Sequence, residues 1–215
     1  LKLDDGPALK LAQQTDYPWA GQVRLTVTPD KPAEFELCLR IPGWALGRPV
    51  PSDLYRFADA KASPAVLKVN GKPADAAPAD DGYVHLKRRW QAGDVVELDL
   101  PMPISRVLAN ENVKDDLGKV ALMRGPVIYC LEAVDQSGQD VFRLVLPRQT
   151  QLRAEHRPDL LGGVTVIQGQ VPSEGQGLLT MTAVPYYAWA NRGRAAMTVW
   201  INEVPPAADA APPGK

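Results

Sequence analysis

Residues 82–107 read GYVHLKRRWQAGDVVELDLPMPISRV, residues 108–116 read LANENVKDD, and residues 117–130 read LGKVALMRGPVIYC. Val96, Leu98 and Leu100 fall on one face of an extended segment and Glu97 and Asp99 on the other, which is the alternation of a half-buried strand. Gln91-Ala92-Gly93-Asp94 is a turn-forming tetrad, so the strands on either side of it are expected to form a hairpin. The polar, aperiodic Ser105–Asp116 reads as a domain boundary. Beyond it, Val120 to Leu131 is apolar except at Arg124, the pattern of one central strand buried on both faces.

Working outward, the same period of two recurs. Leu9 and Leu11 alternate with Lys10 and Ala12 ahead of a turn at Tyr17-Pro18-Trp19. Val23, Leu25 and Val27 share one face, as do Phe35, Leu37, Leu39 and Ile41. Residues 45–62 carry no period; Ser52 is a candidate cap for a helical turn there. Val66–Val69 runs into Asn70-Gly71, a strong hairpin signal. Further strands are expected at Phe142–Leu146, Val164–Ile167, Leu178–Val184 and Met197–Ile201. The 21 prolines and 17 glycines sit between apolar runs, punctuating strands. The expected fold is therefore all-β: two consecutive antiparallel, jelly-roll-like β-sandwich domains over residues 1–108 and 109–203, then a disordered Pro/Ala-rich tail over 204–215.

Composition narrows the function classes. The chain has 215 residues, 45% of them hydrophobic and 23% charged, an ordinary globular balance. A formal net charge of −1 gives no electrostatic footprint for nucleic acid or an anionic membrane. No run of about 18 apolar residues exists, so no transmembrane helix is expected. The chain begins Leu1-Lys2-Leu3-Asp4 and reads as a piece of something longer.

Chemistry is sparse. The two cysteines, Cys38 and Cys130, lie within strand patterns; a disulfide and buried thiols are both open, with buried thiols the commoner case. The two histidines, His85 and His156, are far apart in sequence, and no metal-ligand spacing appears. His85 shares the polar face of its strand with Lys87 and Arg89 and reads as solvated. There is no G-x-S-x-G elbow, and the glycines at 162, 163 and 169 form no phosphate loop. Asp115-Asp116 reads as a linker or turn-capping pair, since adjacency does not set the carboxylate separation that glycoside hydrolysis needs. No catalytic and no metal-ligating residue is assigned. Tyr186, Tyr187 and Trp189, with Asn191 and Arg192, combine rings with hydrogen-bond donors in the way sugars favour; the plainer reading is packing in the core or against another domain.

Seven motifs in order carry a resemblance. They are Thr15-Asp16-Tyr17-Pro18-Trp19, Leu39-Arg40-Ile41-Pro42-Gly43-Trp44, Val69-Asn70-Gly71, Gly93-Asp94-Val95-Val96, Leu100-Pro101-Met102-Pro103, the run Gly118 to Cys130, and Pro185 to Arg192. Over residues 9–202 the chain resembles the C-terminal region of glycoside hydrolase family 127, typified by bacterial β-L-arabinofuranosidases. The resemblance implies an N-terminal α/α-barrel catalytic domain before Leu1, carrying a zinc-bound cysteine nucleophile with glutamate ligands, and two β-sandwiches after it. No position here matches the catalytic residues, and Cys38 and Cys130 match sandwich strands instead. Zinc thus belongs to the barrel, with no cofactor expected in this chain. The implied role is an accessory, non-catalytic region, with its own N-terminal catalytic domain as partner. The alternatives are a carbohydrate-binding module for plant-type arabinose-containing glycans and a self-association module giving a homo-oligomer. The excursion from Pro49 to Ala62 departs from the shorter members.

Overall fold

The structure is a computed structural model describing residues 6–59, 63–173 and 177–203. The tail expected over 204–215 lies outside the described residues. In chain order the strands are β1 (Leu9–Thr15), β2 (Gln22–Pro29), β3 (Ala33–Arg40), β4 (Tyr55–Phe57), β5 (Val66–Val69), β6 (Lys72–Ala74), β7 (Tyr83–Trp90) and β8 (Asp94–Asp99). They are followed by β9 (Ile104–Ala109), β10 (Lys119–Arg124), β11 (Val127–Glu132), β12 (Leu152–Arg157), β13 (Val164–Ser173), β14 (Gly177–Pro185), β15 (Met197–Thr198) and β16 (Ile201–Asn202). All paired strands run antiparallel, and the fold is all-β. Contacts divide the described residues into two units, one of residues 6–51 and 63–103, the other of 52–59 and 104–203.

In the first unit a five-stranded sheet, ordered β1-β2-β8-β5-β6, contributes Leu25, Val27, Leu67, Val69, Val96 and Leu98 to one core. The two-stranded ribbon of β3 and β7 contributes Leu39, Val84 and Trp90 to the same core. The inward residues of β2, β3 and β8 are the apolar members of the alternation, because a strand with one wet face can bury only every second side chain. The Asn70-Gly71 turn joins β5 and β6 as expected, with φ of 52° and 75°. Asn70 also accepts the Val95 amide and donates to Asp94, tying the turn to β8. Asn70→Ala should cost about 1–2 kcal/mol, the penalty for an L side chain in the left-handed region. Asn70→Gly, which tolerates that backbone, should cost less in the same urea unfolding experiment.

The hairpin expected around Gln91–Asp94 does not form. The turn is present, closed by the Asp94 amide on the Gln91 carbonyl. Yet β7 pairs with β3, and β8 pairs with β2 and β5, so the tetrad carries the chain from one sheet to the other. A tight turn fixes a reversal of direction, and burial of the two apolar faces chooses the pairing partners.

In the second unit the sheet order is β12-β13-β14-β11-β10-β9-β4, with β15 on β11 and β16 on β10. The single strand expected over Val120–Leu131 is a hairpin, β10 and β11, turning at Gly125-Pro126 with Gly125 at φ 56°. Both strands are buried on both faces. Tyr129 and Leu131 join Ile167 and Met181 in one cluster, while Cys130 joins Val164, Val166 and Val184 in another. Ile104–Ala109, read as the end of the first sandwich and a linker, is strand β9 paired with β10. The excursion yields a strand where a helical turn was expected: β4 pairs with β9, and Tyr55 stacks on Trp200 at 5.4 Å between ring centroids. Ser52 Oγ accepts the Leu54 amide and caps no helix. The strand expected at Phe142–Leu146 is a turn, with Phe142 exposed and Val141, Leu144 and Leu146 buried, so burial does not follow the period of two in the sequence.

Candidate functional site

The aromatic residues singled out in the sequence follow β14. Pro185 ends that strand and Tyr186–Ala188 form one turn of 3-10 helix, with Ala188 buried and the rings outside. Tyr186, Tyr187 and Trp189 are 45%, 54% and 41% exposed, a concentration of apolar surface that calls for an explanation. Tyr186 and Trp189 lie with their rings parallel within 5°, centroids 6.2 Å apart.

What holds this turn is electrostatic. Glu132, at the end of β11, is buried, and its carboxylate accepts the Ala190 amide and one Arg192 Nη2–H at 2.6 Å. Arg192 also grips both oxygens of Asp135 in the bidentate manner of a guanidinium on a carboxylate, which drives its own pKa up. Ala190 sits at φ 64°, and Asn191 Nδ2 donates back to the Ala188 and Trp189 carbonyls. Gln136 lies fully buried beside them, donating to the Glu132 and Thr182 carbonyls. Of the five residues proposed from sequence, therefore, three present rings to the surface, while the hydrogen-bonding groups of Asn191 and Arg192 brace the loop that carries them. Glu132, Asp135 and Gln136 were missed, since they sit about 60 residues upstream and meet the turn only through the β11–β14 and β11–β15 pairings.

The other candidates scatter. Asp116 accepts the Tyr55 hydroxyl at 3.4 Å, and the Asp115 carbonyl accepts Lys119, so that pair ties its loop to β4 and β10. His156 is exposed on β12. The cysteines are free thiols, and the expectation of burial holds for Cys130 alone; Cys38 is exposed on β3 because it alternates with Leu37 and Leu39. Burial pushes the Cys130 thiol up to about 12, with Glu132 and Asp135 adding to the effect. Ellman titration of the chelator-treated native chain at pH 8 should thus count one thiol, rising to two in denaturant; two fast thiols in the native state would contradict the placement of Cys130.

Models of two adjoining domains cover the chain. The β-L-arabinofuranosidase, GH127 middle domain matches residues 1–102, and the glycoside hydrolase family 127 C-terminal domain matches residues 104–202. The chain belongs to glycoside hydrolase family 127. Within this family it is 34% identical to the non-reducing end β-L-arabinofuranosidase of Bifidobacterium longum subsp. longum, over 89% of this chain and 30% of that protein. Among solved structures, a β-L-arabinofuranosidase from Geobacillus stearothermophilus T6 superposes with a TM-score of 0.80 at 40% identity, covering 93% of this chain and 31% of that one. Another family 127 β-arabinofuranosidase gives 0.82 at 36%, covering 91% and 32%. The family 127 chain described here thus spans about a third of the length of these relatives, and the stretch it spans is their middle and C-terminal domains.

Proposed function

We propose that the chain is an accessory, non-catalytic β-sandwich region of a β-L-arabinofuranosidase-like glycoside hydrolase, and that its exposed aromatic surface packs against a catalytic domain. The observation that carries this reading is the braced turn. Three large rings stand exposed on a turn whose following loop is braced by the buried Glu132 and by Asp135, an arrangement suited to a surface that something covers. The first unit also carries an apolar cleft, lined by Leu11, Tyr17, Val23, Leu37 and Leu98. Assayed by itself on a nitrophenyl β-L-arabinofuranoside, the chain should give turnover indistinguishable from buffer. Turnover that survives both a chelator and Cys130→Ala would overturn the reading.

A second reading takes the parallel Tyr186–Trp189 pair as a sugar-stacking surface. Calorimetric titration with arabinan and arabino-oligosaccharides separates the two. Heat lost in Trp189→Ala would make the chain a carbohydrate-binding module, whereas no heat at millimolar sugar supports docking. Sedimentation at several concentrations tests self-association through the same rings.

A further inference from the structure

We infer that Glu36, Cys38 and His85 form a cation site of zinc type on the outer face of the β3–β7 ribbon, with Asp81 as the outer partner that orients His85. Alternation along β3 places Glu36 and Cys38 on the same wet face, and the register sets His85 directly opposite Cys38. Three different donor types converge there. His85 Nδ1 lies 3.6 Å from Cys38 Sγ and 3.3 Å from Glu36 Oε2, and Sγ to Oε2 is 3.9 Å. With metal–sulfur, metal–nitrogen and metal–oxygen bonds of about 2.3, 2.0 and 2.1 Å, a tetrahedral zinc ion sets its ligand atoms about 3.4–3.6 Å apart. The three donors therefore sit close to one face of a coordination tetrahedron, and closing it requires a shift of a few tenths of an ångström in one side chain.

The far side of the imidazole is arranged to match. His85 Nε2 lies 2.9 Å from Asp81 Oδ2, the carboxylate contact that metal-bound histidines usually keep on their second nitrogen. Asp81 is fixed in turn, its other oxygen accepting the Tyr83 amide at 2.9 Å. That contact turns the lone pair of Nδ1 toward Cys38 and Glu36. Thiolate and imidazole favour a borderline-soft ion such as Zn2+ over Mg2+ or Ca2+, which take oxygen ligands. Such an ion would cross-link two strands that form a sheet of their own, and an isolated two-stranded ribbon is the least self-sufficient kind of sheet. The competing arrangement of the same atoms is a protonated His85 clasped between Glu36 and Asp81, with no metal.

Cobalt distinguishes them. The chelator-treated 215-residue chain, titrated with Co2+, should bind one equivalent with the visible bands of a tetrahedral ion and a thiolate-to-cobalt charge-transfer band in the near ultraviolet, both bleached by Zn2+. Cys38→Ser should abolish the charge-transfer band and His85→Ala the binding. Asp81→Asn should weaken affinity by about 10–100-fold. All three side chains are exposed, so each variant should keep the wild-type far-ultraviolet circular dichroism and, without metal, its melting temperature. A wild-type chain with no charge-transfer band, a band that persists in Cys38→Ser, or an affinity unchanged by His85→Ala would overturn the site.

Discussion

Truncating Trp90 to Ala should lower the unfolding free energy of the first unit by about 3–5 kcal/mol, the usual loss for deleting a large buried ring. Trp90 is fully buried at the end of β7, stacked against Phe35 with centroids 5.9 Å apart. Its Nε1–H donates to the Phe35 carbonyl at 3.1 Å, and the Arg88 guanidinium lies 5.0 Å above its ring. The ring belongs to the core that the ribbon and the five-stranded sheet share, so Ala leaves a hole as well as losing the transfer term. Trp90→Phe, which keeps an aromatic ring but loses the hydrogen bond, should cost less than half as much. Urea unfolding followed by circular dichroism reads the effect without relying on tryptophan emission, and a loss below about 1 kcal/mol would show that the core closes around the hole.

Replacing Arg192 by Ala should cost the second unit about 3–5 kcal/mol, the range for removing one member of a buried ion pair. The magnitude comes from what remains. Glu132 is 1% exposed, and without the guanidinium its carboxylate keeps, among the described residues, the Ala190 amide alone. Arg192→Lys should fall in between, because an ammonium cannot grip Asp135 bidentately while reaching Glu132. Adding Glu132→Gln to Arg192→Ala should restore part of the loss by removing the unpaired charge. A double-mutant cycle that shows no coupling between the two positions would sink the account.

The legible parts of this fold are those where one face of a strand is wet. β2, β3 and β8 could be read residue by residue, as could the Asn70-Gly71 turn, because period and turn chemistry are local properties. The β10–β11 hairpin was hidden by its own burial. With both faces covered, the alternation that would mark two strands disappears, and only the dipeptide Gly125-Pro126 signals the break. Partner choice is non-local, so the diversion of β7 to β3 and of β4 to β9 had no signature near either strand. The same limit applied to the sites. Tyr186, Tyr187 and Trp189 announce themselves by composition, whereas their anchor Glu132 is an ordinary strand-end carboxylate. Cys38 and His85 stand 47 positions apart and become neighbours only through the β3–β7 register.

Strand β4 makes the order of the chain differ from the order of the units. Residues 52–59 interrupt the sequence of the first unit yet lie in the sheet of the second, where the Asn110 amide bonds the Leu54 carbonyl and the Ala58 amide bonds that of Arg106. Neither unit is a single contiguous segment. Cutting after Pro103 would strip the second of its edge strand and leave that strand stranded on the first. No single cut in the chain therefore separates the two units whole.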